Sequence, residues 1–145
     1  MAAEIGTMRQ LASIRRDRRD AYGFCGEGWS EHIEGACGEL ALAKYLNIHW
    51  DGSVDAFLAA DLPYLQVRTR SRHDYDLIVR ERDGDDETFV LLTGRCPHYR
   101  VRGWIAGHDA KRPEWLAEHG GRPPAYFVPA DALAAIETLP RYGRV

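Results

Sequence analysis

Five short strand-like runs of apolar and polar residues, at 55–60, 64–69, 75–80, 88–93 and 99–105, are separated by turn-forming residues, and the 64–69 run alternates with a period of two. That spacing predicts strands arranged largely as an antiparallel meander. Upstream the period lengthens. Ile33, Cys37, Leu40 and Ala41 recur at helical spacing, so a helix is expected from Ser30 to about Leu46, with Ser30 as N-cap and Glu31 and Glu34 in its first turns. Small residues at Gly35, Ala36 and Gly38 would let that helix come close to a sheet. A second helix is expected over Glu4 to Asp20, with Leu11 and Ile14 on one side and Arg15-Arg16-Asp17-Arg18-Arg19-Asp20 on the other; interleaved charges of this kind suit a solvated face better than a tether. Beyond the loop Gly120-Gly121-Arg122-Pro123-Pro124, residues 125–129 read as a short strand, and Pro129-Ala130-Asp131 opens a final helix through about Leu139. The pattern predicts an α/β (α+β) fold, a small mixed and largely antiparallel central sheet flanked by helices. It forms a single domain over 1–145, with an N-terminal helical segment at 1–22 and a core at 30–111.

Composition narrows the function classes. A chain of 145 residues, 45% hydrophobic and 28% charged, can bury one real core. A net charge of -3 excludes a polybasic nucleic-acid binder, so any contact with nucleic acid has to be a local patch. No stretch is long enough to span a bilayer and Met1 to Gln10 has no apolar run, so a cytoplasmic protein without membrane association is expected. Cys25, Cys37 and Cys96 are odd in number and lack CxxC spacing, which predicts reduced thiols; the same spacing argues against a zinc site built from them with His32 and His98.

The chemistry concentrates in two places. Along the 64–69 run and just beyond it, Gln66, Arg68, Arg70 and Arg72 share one parity, while Leu65, Val67 and Thr69 share the other. The second set should pack. The first should form a polar row whose guanidinium groups can fork onto phosphate oxygens, although only Lys44 and Lys111 of the 19 basic residues are lysines, so Arg68 also reflects a general preference for arginine. Glu39, on the Ser30 helix, and Asp61 are carboxylates able to hold a hard divalent cation. Asp61 and Gln66 stand an odd number of positions apart, so Leu62-Pro63-Tyr64 must bend the chain if both are to face one ion. Asp83-Gly84-Asp85-Asp86 reads as a hairpin turn, too short for an EF-hand.

Glu39, Asp61 and the triplet Gln66-Val67-Arg68 resemble the core of the PD-(D/E)xK, or restriction-endonuclease-like, superfamily, in which a helical Glu, a strand-end Asp and a Glu/Gln-x-Lys strand build a metal site. In Glu39, Val67-Arg68-Thr69 and Gly103-Trp104-Ile105 the chain is also similar to small phage-encoded proteins of unassigned function. The resemblance implies a divalent-metal-dependent nuclease-like protein acting on nucleic-acid phosphodiesters. Glu39, Asp61 and the Gln66 oxygen would hold Mg²⁺ or Mn²⁺, and Arg68 would steady the phosphate. Two positions depart from the superfamily pattern: Gln66 stands for the usual Glu, and Arg68 for the usual Lys, which it cannot replace as a base because guanidinium stays protonated. Lys111 is a candidate for a lysine that has migrated to another element. The departures keep open a catalytically silent nuclease-like module that binds nucleic acid or a protein partner, and an interaction protein without phosphate chemistry.

Overall fold

A computed structural model of the chain describes residues 28–47 and 65–140. The expected helix at 4–20, the strand at 55–60, Asp61, the Pro63 bend and Cys25 lie outside the described residues.

The described residues form a mixed α+β fold in layers. Helix α1 (Gly28–Leu46) lies on one face of a three-stranded sheet, β1 (Leu65–Arg70), β3 (Thr88–Arg95) and β4 (His98–Ala106), in the order β1-β3-β4. The other face of that sheet meets a second one, made of β2 (Leu77–Arg80), β5 (Leu116–Ala117) and β6 (Ala125–Val128) in the order β2-β6-β5. Strand β3 is central because both of its faces are apolar. Val90 and Leu92 pack with Leu42 and Leu46 of α1 and with Ile136 and Leu139, while Phe89 and Leu91 pack with Leu77, Val79, Ile105 and Val128. A strand buried on both faces reads as a continuous hydrophobic run rather than as an alternation, as Phe89-Val90-Leu91-Leu92 does.

The antiparallel meander is corrected. β1 and β3 pair in parallel, from Leu65↔Thr88 to Arg70↔Thr93, and β2 leaves the first sheet to pair with β6 in the second. The cause lies in β2 itself: Leu77 and Val79 bury fully against Phe89 and Leu91, which is possible only if β2 crosses the face of the sheet instead of extending its edge. Asp83-Gly84-Asp85-Asp86 therefore joins two sheets. The tight hairpin is β3–β4, which closes at Arg95↔His98.

The final helix is also corrected. Short 3₁₀ turns at Ala130–Ala132 and Ile136–Thr138 flank Ala134, which exchanges backbone hydrogen bonds with Trp104 at 3.0 and 2.9 Å. Gly103, at φ +144°, presses against the Ala134 carbonyl where a Cβ would collide, so this pairing overrides local helix propensity.

Helix α1 starts at Gly28, two residues before the expected N-cap, and its two halves are held differently. Leu42 and Leu46 in the C-terminal half are 0% and 4% exposed, each contributing about 1.5–3 kcal/mol of burial. Among the described side chains of the N-terminal half, the buried ones are the small residues Ala36, Cys37 and Gly38, and a Cβ on Gly38 would strike the Thr69 side chain. A disulfide joins Cys37 to Cys96, with Cα atoms 5.9 Å apart, which corrects the expectation of reduced thiols at these two positions. Beside it, Glu34 Oε2 accepts the Cys96 N–H at 3.1 Å and the Tyr99 hydroxyl.

Burial pushes the Tyr99 hydroxyl well above its ordinary value, and its bond to Glu34 adds to the shift. The folded state thus holds the Tyr99 proton more tightly than the unfolded chain. The associated stability is fully present below about pH 10 and is lost as pH rises above it. Thermal melts at alkaline pH should show wild type losing stability beyond that point and Tyr99→Phe losing less.

Candidate functional site

Strand β1 sorts its side chains as the alternation requires. Leu65 and Val67 belong to the core beneath α1, and Thr69 lies against Gly38; Gln66, Arg68 and Arg70 project from the opposite face.

Each member of that row meets the chain between β1 and β3. The Gln66 amide donates to Glu87 Oε1 at 3.2 Å, and Glu87 Oε2 accepts the Gly84 N–H at 2.9 Å. Arg68 Nη2 lies 3.2 Å from Asp83 Oδ2, its guanidinium stands 5.3 Å from the Phe89 ring centroid, and its buried Nε has no partner. Burial draws the Arg68 guanidinium below its ordinary value, and the Asp83 charge opposes the shift. Asp83 also accepts the Arg80 N–H at 2.8 Å. Arg68 is therefore an internal strut between the sheet and the β2–β3 connection.

Farther along, the row opens toward solvent. Arg70 donates to the Asp76 carbonyl at 2.8 Å and stands 4.7 Å from the Tyr75 ring centroid; its guanidinium too is lowered, first by burial. Arg72 forks onto Asp74 with two contacts of 2.8 Å, 5.2 Å from the same ring, and this hydrogen bond holds the Asp74 carboxyl below its usual range. His73 Nδ1 meets Thr93 Oγ1 at 2.8 Å, and Arg102 Nη1 donates to the His73 carbonyl at 2.7 Å. Thr93 is registered with Arg70 on one side and Arg100 on the other, so Arg70, Thr93 and Arg100 form a cross-strand row on the face away from α1. Arg100 is exposed and forms no ion pair among the described residues.

The sequence-derived residues do not all converge. Glu39 lies on the helix stripe of Ala36, Ala43 and Leu46, on the α1 side of the sheet, whereas Gln66 and Arg68 project from the other side. Asp61 lies outside the described residues. Among the described residues no group of three or more His, Cys, Asp or Glu side chains is arranged to hold a metal ion. Lys111 does reach the neighbourhood of Arg68. Its Nζ donates to the carbonyls of Glu81 and Asp83 at 3.1 and 2.6 Å and to Asp85 Oδ1 at 2.6 Å, so Asp83 touches Arg68 through its carboxylate and Lys111 through its backbone.

Sequence reasoning missed Glu87, Asp83, Arg100 and Arg102 as neighbours of the row. Arginines two apart in Arg100-Val101-Arg102 were a signal of the same kind as Arg68-Thr69-Arg70, but the pairing of β4 with β3 was needed to put Arg100 beside Thr93. No helix among the described residues is long and apolar enough to cross a membrane. Compared with known proteins, the chain matches no family model, no curated protein and no solved structure.

Proposed function

We propose that this protein is a nuclease-like module that binds the phosphate backbone of nucleic acid, without relying on base contacts, in a cytoplasmic and phage-associated setting. The observation that carries the reading is the cross-strand row Arg70–Thr93–Arg100, extended by Arg72 and Arg102 around the 71–76 segment. Four guanidinium groups gathered at one end of one sheet face form the local patch that a chain of net charge -3 requires. Beside the Asp76 carboxylate, whose charge acts on Arg70, the acidic group in contact with the patch is Asp74. Its bond to Arg72 is exposed on both sides, at 62% and 64%, and exposed pairs contribute so little that phosphate oxygens can displace the carboxylate. Arg68, held by Asp83, orients the strand from which Arg70 projects.

Fluorescence anisotropy with labelled single-stranded and duplex oligonucleotides tests this. Arg70→Ala with Arg100→Ala should weaken binding about tenfold or more and reduce the salt dependence by about one unit of slope per contact removed. Equal affinity of variant and wild type would refute the assignment of the patch.

A second reading is Mg²⁺- or Mn²⁺-dependent cleavage of the bound strand, favoured by the placement of Gln66 and Glu87 side by side at 3.2 Å on the face of Arg68. A cation there would need Asp61 as a further ligand. Calorimetric titration with Mn²⁺ should then show weak binding that Asp61→Ala abolishes without unfolding the chain, and identical heats for the two proteins would dispose of this reading.

A further inference from the structure

The N-terminal half of α1 is attached to the sheet differently from the rest of the fold. Among its described side chains, those from Ile33 onward, it contributes Ala36, Cys37 and Gly38 to buried positions and no fully buried large apolar group, and their ties to the β3–β4 hairpin include the Cys37–Cys96 disulfide and the Glu34 contacts with the Cys96 N–H and Tyr99 hydroxyl. The C-terminal half, with Leu42 and Leu46, belongs to a core that does not depend on the bridge. The two sulfurs also differ in access: Cys37 is buried at 9%, while Cys96 lies in the exposed hairpin turn.

We propose that the Cys37–Cys96 bridge is a redox-released clasp: a dithiol reductant opens it and frees the N-terminal half of α1 from the β3–β4 hairpin while both sheets stay folded. One thiolate of the reductant attacks the accessible Cys96 sulfur, breaking the S–S bond and expelling Cys37 as thiolate. The second thiolate of the reductant attacks the resulting mixed disulfide, expels Cys96, and closes the reductant into a cyclic disulfide. The reductant is oxidised, the two cysteines are reduced, and the two protons lost by the dithiol finish on Cys37 and Cys96. In a compartment kept reducing by thiols the clasp stands open, and oxidation closes it.

Hydrogen exchange read by mass spectrometry on the full chain tests the proposal, comparing protein oxidised with glutathione disulfide and the same protein after dithiothreitol. Alkylation of the oxidised sample should leave Cys37 and Cys96 unlabelled. Reduction should then speed exchange over 33–40 by about tenfold or more and leave 88–95 protected, because locally attached segments open without global unfolding. The Cys96→Ser chain should exchange like the reduced protein with or without dithiothreitol. Labelling of Cys37 and Cys96 in the oxidised sample overturns the proposal, as does equal exchange over 33–40 in the two states. Loss of protection over 88–95 on reduction, or failure of Cys96→Ser to fold, would make the bridge a staple of the whole fold and equally overturn it.

Discussion

Replacing Phe89 by alanine is expected to lower stability by about 4 kcal/mol, a large share of the roughly 5–15 kcal/mol that holds a domain together. Phe89 is fully buried, and it lies where the two sheets meet, packed with Leu77, Val79 and Leu91. Its ring also stands beneath the Arg68 guanidinium, so truncation removes a cation–π contact as well as apolar contacts. Urea titration should show the midpoint falling sharply. A loss below about 1 kcal/mol would contradict the packing of β2 across the face of the first sheet, since a half-exposed strand phenylalanine loses far less than a core one.

Removing Asp83 should be nearly as damaging for a different reason. Asp83→Ala strips the carboxylate from an Arg68 side chain only 26% exposed, whose Nε already lacks a partner, and removes the acceptor of the Arg80 N–H. Breaking one side of a buried pair costs about 3–5 kcal/mol, and the residual exposure here brings the expectation to about 2–3 kcal/mol. Asp83→Asn keeps an acceptor oxygen for the Arg80 N–H and should cost less. The double variant Arg68→Leu with Asp83→Ala should recover most of the loss, because no charge is then left without a partner. Additive losses in that cycle would mean the two side chains do not depend on each other.

The sequence showed the elements more clearly than their arrangement. Helix α1 and strands β1, β3, β4 and β6 were legible because each carries its own period or apolar run, and the parity of Gln66, Arg68 and Arg70 against Leu65 and Val67 follows from alternation alone. Pairing was not legible. Whether β2 extends the edge of the sheet or crosses its face depends on Leu77 and Val79 finding Phe89 and Leu91, contacts that no local pattern encodes. The final segment misled because alanines at 130, 132, 134 and 135 favour helix, whereas the Ala134 backbone is held by Trp104 through a close approach that only Gly103 allows. The Cys37–Cys96 pairing joins residues 59 apart across two elements and carries no spacing signature. At the site, Glu39 and Gln66 each occupied a plausible position, but only the packing of α1 against Val67 and Thr69 revealed that they approach from opposite sides of the sheet.

The most direct test is the affinity of the wild-type chain for a short duplex across a series of salt concentrations. If Arg70, Arg72, Arg100 and Arg102 each neutralise a phosphate, the logarithm of the binding constant should fall with the logarithm of salt at a slope of about -3 to -4, somewhat less for a single strand. A slope near zero, or no binding to either substrate at about 50 mM salt, where backbone contacts are strongest, would contradict the account.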